Sequence, residues 1–140
     1  MTKRTWLMSL SDETCSDRLA HSAIGRLGVV VGGKPEVFPV CYVYVDGRVY
    51  FPTNEGTKMH SALEWPWVAF EVDGMEADGS SAWSVMITGQ AEEVTDATKI
   101  ERVTAMQTVA FRSHGSVRWI EIVPLKLTGR QIATDQIATE

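Results

Sequence analysis

The sequence predicts a mainly β protein: a small, closed or nearly closed antiparallel barrel of six strands with short helices between them. Runs rich in Val, Ile, Tyr, Phe and Trp recur along the chain, and clusters of Gly, Pro, Asn, Asp and Ser separate them. Asp46-Gly47 lies between two such runs and is the strongest short-range hairpin signal, because both central residues of that turn need a positive φ. Helical patterns are short and occur only as insertions.

The N-terminal third begins with a lead-in over residues 1–10 and a helix. Ser9 or Ser11 can cap this helix, acidic residues follow in its first turn, and Gly25 is the expected stop. The six strands are predicted over residues 26–31, 36–45, 48–52, 67–73, 82–94 and 117–128.

Two further helices and two irregular strand positions complete the prediction. A short helix spans residues 58–63, and Thr95 is expected to cap another. The apolar face of that last helix is formed by Ile100, Val103, Met106, Val109 and Ala110. Gly89 predicts a bulge or bend, and Pro124 predicts an edge or bulge. Residues 111–116 are predicted to be a loop, and the tail after Arg130 is left unassigned.

Composition points to one globular domain over residues 1–140, with its core at about residues 11–130. Hydrophobic residues make up 44% of the chain and charged residues 22%, which is typical of globular proteins. The net charge of −5, without a run of Lys or Arg, gives no support to a nucleic-acid partner. Two cysteines far apart, no apolar signal segment and no run of about 18 apolar residues predict a cytoplasmic protein without a membrane partner.

No familiar catalytic or metal motif is present in the sequence. His21, His60 and His114 lack metal-ligand spacing, so no metal site is predicted. Cys41, in mid-strand, is better explained as a small core residue than as a nucleophile. The catalytic residues are therefore unknown, and an enzyme of this kind would take its chemistry from a cofactor.

Residues 53–58, Thr-Asn-Glu-Gly-Thr-Lys, carry the clearest binding signal. A strand here delivers hydroxyls and a cation to a helix start, which suits an anion such as phosphate. The alternative is that Thr57 only caps the helix and Lys58 is solvated.

Seven segments of the chain, in order and spacing, resemble the pyridoxamine 5′-phosphate oxidase-like flavoproteins. They are Gly25-Arg26-Leu27, Pro35 with Pro39-Val40-x-Tyr42, Val49-Tyr50-Phe51-x-Thr53, Gly56-Thr57-Lys58, residues 68–73, residues 83–91, and Ile122-x-Pro124 with Thr128-Gly129-Arg130. The resemblance covers residues 11–130. It implies an FMN-binding split β-barrel and a homodimer with the cofactor groove at its interface.

The resemblance also assigns cofactor-binding residues. The flavin would be lined by Pro39, Val40, Cys41 and Tyr42, and the ribityl chain would be flanked by Tyr50, Phe51, Pro52 and Thr53. Thr57 and Lys58 would bind the phosphate, which carries about −1.5 to −2 charge. Trp83 and Ser84 would reach the cofactor from the other subunit, although Trp83 fits barrel core or dimer interface equally well. Arg26 would contact the phosphate or, more simply, pair with a carboxylate.

The chain departs from the true oxidases in two respects. Their phosphate site, with several Arg and Lys, is reduced here to one Lys with Thr neighbours, and their substrate-binding Arg and His residues have no counterparts. Pyridoxamine phosphate oxidation is therefore not expected. The expectation is a flavin-dependent oxidoreductase acting on a small-molecule substrate. The alternatives are a deazaflavin-dependent reductase and a non-catalytic flavin- or small-molecule-binding protein.

Overall fold

The computed structural model describes residues 2–107 and 116–137, and within them the chain forms eight strands and three helices. In chain order these are β1 (Thr2–Ser9), α1 (Asp12–Ala20), β2 (Ile24–Val31), β3 (Lys34–Cys41), β4 (Val43–Val45), β5 (Arg48–Asn54), α2 (Lys58–Ala62), β6 (Trp67–Met75), β7 (Ser81–Glu93), α3 (Ala97–Met106) and β8 (Val117–Ile137).

All strands belong to one curled antiparallel sheet. Its order is β3-β2-β6-β7-β8-β5-β4, and β1 pairs with the C-terminal part of β8. The long strand β8 organises this arrangement because it pairs with β5, β7 and β1 along different parts of its length. The two end strands, β3 and β4, are consecutive in the chain and are separated only by Tyr42. The sheet therefore curls into a half-barrel, and Tyr42 links its two end strands along the chain.

The concave side of the sheet holds the main core. Leu27, Phe51, Phe70 and Ile122 are fully buried there, and Leu19 of α1 packs onto the same cluster. Each large apolar side chain buried in this way contributes roughly 1.5–3 kcal/mol. In β2 and β6, buried residues alternate with more exposed ones, so every second side chain points inward and its neighbours point to the outer surface of the sheet.

The outer surface is covered over only one part of the described sheet. Helix α3 lies on β4, β5 and the start of β8, where Val43, Tyr50 and Trp119 form a second buried cluster with Val103. We call this region the covered face. No described helix is long and apolar enough to cross a membrane.

Several sequence predictions are confirmed. Asp46 and Gly47 have φ values of 53° and 76°, as the predicted hairpin turn requires. Ser11 caps α1, and Thr57 caps α2. The register of β7 against β8 shifts between Thr88 and Gly89, opposite Pro124, where irregular strand was predicted.

The predicted number of strands was wrong: residues 2–107 and 116–137 form eight strands instead of six. Residues 1–10 contain β1, whose sequence lacks a clear alternation and which is defined by its pairing with β8. The strand predicted over residues 36–45 is broken at Tyr42, whose N–H donates to the carbonyl of Ala23 instead of to a neighbouring strand. The unassigned tail is part of β8 as far as Ile137.

Two helix boundaries were also wrong. Helix α1 ends at Ala20 with His21 as its C-cap, so Gly25 is not its stop but belongs to β2. Asp96, not Thr95, caps α3, because its carboxylate accepts the N–H groups of Thr98 and Lys99. On the α3 face, Val103 is buried and Met106 is largely exposed. Val109, Ala110 and residues 111–115 of the predicted loop lie outside the described residues.

Candidate functional site

The loop between β5 and α2 is held together by Thr57. Its hydroxyl donates to the carbonyl of Asn54 at 2.7 Å and accepts the N–H of His60 at 3.2 Å. The Thr57 hydroxyl thus acts as both donor and acceptor within the loop and the first turn of α2. Because α2 has only five residues, its dipole is small, and the attraction of this loop for an anion depends on the Lys58 charge.

Lys58 is paired with a carboxylate on the neighbouring strand. Its ammonium nitrogen lies 2.5 Å from Oε1 of Glu36 on β3, with side-chain exposures of 67% for Lys58 and 29% for Glu36. The other carboxylate oxygen, Oε2, is shielded from solvent and has no hydrogen-bond partner among the described residues. Oδ1 of Asn54 is in the same condition. The Lys58 ammonium group therefore lies beside a carboxylate of β3, and Glu36 Oε2 and Asn54 Oδ1 are shielded oxygen atoms that lack donors among the described residues.

These residues fit a phosphate in one respect and oppose it in another. Lys58 is exposed enough to turn from Glu36 to an anionic ligand, and the first N–H groups of α2 have no intrahelical acceptor. The Glu36 carboxylate, however, places a negative charge beside the same ammonium group. The site therefore offers a phosphate one cation, Lys58, and places the negative charge of Glu36 next to it.

The predicted flavin-lining residues of β3 divide between two surfaces. Pro39 is exposed and Cys41 half-buried, whereas Val40 and Tyr42 are buried in the core. The Tyr42 hydroxyl donates to the carbonyl of Leu19 at 2.6 Å, and burial raises the pKa of Tyr42 to about 12. Pro39 and Cys41 are the members of this set with side chains open to a ligand in the single chain.

The predicted ribityl-flanking residues of β5 are all buried. Phe51 and Thr53 point into the core, and Tyr50 and Pro52 belong to the outer surface, where their register partners are Glu121 and Trp119. The Thr53 hydroxyl lies 2.9 Å from Nδ1 of His60 and ties α2 to the sheet. None of these four side chains is therefore open to a ligand in the single chain.

Trp83 packs against the core over the backbone of Gly74. A Cβ at Gly74 would stand 2.7 Å from Cζ2 of the Trp83 ring, so only glycine leaves room for the indole there. The Arg18 guanidinium lies 4.7 Å from the centre of the same ring. Ser84 is half-buried beside a cavity of about 340 Å³ that Asp73 and Arg130 also line. The structure thus brings Trp83 and Ser84 together on β7, away from the loop that carries Lys58.

Arg26 is engaged by carboxylates, the simpler of its two predicted roles. It donates to Oε1 of Glu71 at 2.8 Å and to Oδ2 of Asp73 at 2.7 Å. The pKa of Glu71 is raised from its ordinary value, first by burial and then by the hydrogen bond with the Asp73 carboxyl, against the opposing effect of Arg26.

The ion pairs of two carboxylates, Glu36 and Glu121, were not predicted from the sequence. Glu36 was not connected with Lys58, 22 residues away. Glu121, only 6% exposed, accepts hydrogen bonds from Arg48 and Tyr50, and its other oxygen lies 3.6 Å from the Lys99 ammonium. Burial would raise the pKa of Glu121, but these donors and charges outweigh it and lower the pKa. The partners are distant in sequence, so no local signal could have found them.

The outer surface of β2, β3 and β6 is not covered by any helix of the described chain. Val30, Val37 and Trp67 expose 44%, 65% and 44% of their surface. Together with Ala69 and Thr88 they border a groove of about 440 Å³. We call this region the open face. Within the described residues, no three His, Cys, Asp or Glu side chains come together as metal ligands would.

Comparisons with known proteins agree with this architecture. Residues 11–131 match the model of a family described as pyridoxamine 5′-phosphate oxidase. An uncharacterised protein of Mycobacterium tuberculosis, Rv0080, is 33% identical over 89 residues, a match that covers 60% of this chain and only 59% of that relative.

Solved structures share the fold over most of the chain. The FAD-binding protein of Mycobacterium smegmatis is 29% identical, with a TM-score of 0.78 over 90% of this chain and 98% of that one. A heme-binding protein of the same organism, 16% identical, has a TM-score of 0.71 over 82% of this chain and 51% of that one, which shows similarity of fold alone.

Proposed function

Since the chain belongs to the pyridoxamine 5′-phosphate oxidase family, we propose that it binds a phosphorylated flavin and acts as a flavin-dependent oxidoreductase. The observation that carries the proposal is Lys58, an exposed cation on the loop to which the family resemblance assigns the phosphate. The name of the Mycobacterium smegmatis relative supports a flavin, and the resemblance favours FMN, with a deazaflavin as the alternative.

The residues of this chain would hold and orient the cofactor. Lys58 would bind its phosphate, and the exposed Pro39 and Cys41 would face its ring system. A bound flavin supplies hydride exchange with a small molecule, so the protein itself needs only to position the ring and exclude water. This agrees with a sequence that names no acid, base or nucleophile.

We propose further that two copies of the chain associate through the open face, with the cofactor groove at their interface. Its exposed apolar side chains, such as Val37 and Trp67, form the kind of surface that usually binds another protein. Val37→Glu is expected to convert a dimer to a monomer in light scattering, whereas Met106→Glu on α3 leaves the dimer intact. A flavin-loaded monomer of the wild-type protein would contradict this proposal.

A fluorescence titration tests the flavin site. FMN is expected to bind more tightly than riboflavin, and Lys58→Ala should weaken FMN binding by about 1.5–3 kcal/mol, the range for a hydrogen bond to a charged group, without affecting riboflavin. Lys126→Ala, which removes an exposed lysine from β8, is the matched control and should change neither. If FMN, FAD and a deazaflavin all fail to bind, the proposal is refuted. If hemin alone binds tightly, the cofactor is a heme and not a flavin.

Turnover separates an oxidoreductase from a non-catalytic binder. Reduction of the bound flavin by NADPH, followed by reoxidation with an added acceptor, is the expected result. A flavin that binds but is reduced by no nicotinamide donor would favour a storage or sensing role. The cytoplasmic location remains a prediction, and both cysteines are free thiols in the structure.

A further inference from the structure

A cluster of charged side chains lies among the exposed apolar side chains of the open face. Arg26 on β2 donates to Oε1 of Glu71 at 2.8 Å and to Oδ2 of Asp73 at 2.7 Å, so one guanidinium serves two carboxylates of β6. Along β6, Trp67 is exposed before the cluster and Met75 is exposed after it. A partner that covers the apolar side chains at both ends of β6 must therefore also cover the cluster.

The cluster is costly to cover because it carries more negative than positive charge. Two ionised carboxylates and one guanidinium leave a net charge of −1 in each copy of the chain. Side-chain exposures of 36% for Arg26, 32% for Glu71 and 52% for Asp73 leave all three groups in contact with water in the single chain. Removal of that water disfavours the ionised form of a carboxyl group. One proton on either carboxylate makes the cluster neutral.

The two carboxyl groups already provide a place for that proton. An ionised carboxylate only accepts hydrogen bonds, so Glu71 and Asp73 can bond to each other only when one of them is protonated. Burial, and then this hydrogen bond, raise the pKa of Glu71 against the opposing effect of Arg26. Cover by a second copy would add to the burial and raise the pKa further.

The surrounding strands supply no other close charge within the described sheet. The neighbours of the cluster in the register of the sheet are uncharged: Met86 and Ser84 on β7 and Pro39 on β3. The next charges on this surface are those of Lys126 and Arg130 on β8, on the far side of β7. Two strand spacings, roughly 10 Å, separate β8 from β6, and salt weakens electrostatic effects over that distance.

We infer that association of two copies through the open face is coupled to proton uptake by the Glu71–Asp73 pair, so that the dimer is more stable in mild acid than above neutral pH. The inference rests on the association proposed above and adds its regulation. The sign follows from a pKa that is higher in the dimer than in the single chain. The gain in affinity is complete below the pKa of the single chain and is lost as the pH rises through the pKa of the dimer.

Sedimentation velocity at several protein concentrations between pH 5 and 8 measures this coupling. The dissociation constant of the wild-type dimer should fall by about tenfold or more from pH 7.5 to pH 5.5, since each proton taken up allows at most about tenfold per pH unit. Glu71→Gln resembles the protonated carboxyl group. At pH 7.5 this variant should associate as tightly as the wild-type protein does at pH 5.5, and its affinity should no longer depend on pH.

Two further variants support the comparison. Asp73→Asn removes the other carboxylate and should also abolish the pH dependence, even if Glu71→Gln folds poorly. Glu101→Gln removes an exposed carboxylate from α3, outside the open face, and should keep the pH dependence of the wild-type protein.

The outcomes distinguish this inference from the proposed function. If the wild-type dimer is equally tight at pH 5.5 and 7.5, or if Glu71→Gln and Asp73→Asn keep its pH dependence, the dimer stands and the role of the carboxyl pair is wrong. If the protein is a monomer at both pH values, association through the open face fails and the inference fails with it, while the flavin titration still tests the cofactor. A dimer that survives Val37→Glu at both pH values lies on another surface and would also overturn the inference.

Discussion

One sheet presents two very different outer surfaces. On the covered face, α3 buries Trp119 and Val103, and the buried carboxylate of Glu121 is surrounded by donors. On the open face, apolar side chains of similar size, such as Trp67 and Val37, remain largely exposed. The pattern of apolar residues is thus comparable, but only one surface is completed within the described chain.

The two faces differ in whether their charged and apolar groups find partners within the described chain. The covered face pairs Glu121 with Arg48, Tyr50 and Lys99, so its charges and apolar groups are both compensated. The open face compensates its charges through Arg26, Glu71 and Asp73 but leaves its apolar groove uncovered. Stability is therefore expected to depend mainly on the covered face, and association on the open face.

The largest expected effect comes from removing one tryptophan from each face. Trp119→Ala should cost about 3–5 kcal/mol of unfolding free energy, because it empties a buried site. Trp67→Ala, its matched control, should cost about 1 kcal/mol or less in a single chain. Urea unfolding at two protein concentrations would sharpen the comparison. The Trp67 cost should rise with concentration if the open face joins two copies, whereas the Trp119 cost should not. Equal costs at every concentration would abolish the distinction between the faces.

A smaller effect is expected from the carboxylates. Glu121→Gln should lose about 1.5–3 kcal/mol, the range for hydrogen bonds to charged groups, and Arg48 and Lys99 are exposed enough to regain water, which favours the lower end. Asp73→Asn on the open face is the control and should cost less than about 1 kcal/mol, as surface ion pairs do. A loss for Asp73→Asn as large as that for Glu121→Gln would mean that the open face also contributes substantially to folding.

The parts of the fold that local chemistry controls could be predicted from the sequence. Asp46-Gly47 requires a hairpin, and the alternation over residues 67–73 reappears in β6. Thr57 caps α2 because its hydroxyl reaches an N–H three residues ahead. In each case the interacting atoms lie within a few residues of one another, so the sequence contains the whole cause.

Features that depend on distant partners could not be predicted in this way. Strand β1 exists through its pairing with residues 130–137 of β8, at the other end of the chain. The ion pair of Glu36 with Lys58 and the contacts of Glu121 join residues brought together only by the curl of the sheet. The same reason explains why Lys58 was predicted as a phosphate ligand while the carboxylate beside it was overlooked.

The pH dependence of stability should distinguish the two faces by sign. The folded-state pKa of Glu121 is lowered from its ordinary value of 4.5, so its contribution is present above pH 4.5 and is lost as the pH falls through the lower folded pKa. The difference in unfolding free energy between the wild-type protein and Glu121→Gln should therefore shrink in acid. Urea unfolding between pH 3 and 7 measures it, and a difference that grows in acid would contradict the assignment.

Glu71 on the open face should behave in the opposite way, with the smallest effect of the series. Its folded-state pKa is raised above 4.5, so protonation favours the folded chain, and this contribution is complete below pH 4.5 and is lost as the pH rises through the folded pKa. At pH 7, Glu71→Gln should therefore leave the free energy of unfolding nearly unchanged. As the pH falls, the free energy of unfolding of the wild-type protein should rise relative to that of the variant. The difference in unfolding free energy between the wild-type protein and each glutamine variant could instead change with pH in the same direction for Glu121 and Glu71. That result would mean that Arg26 sets the pKa of Glu71, and that the charges of the open face are as well paired as those of the covered face.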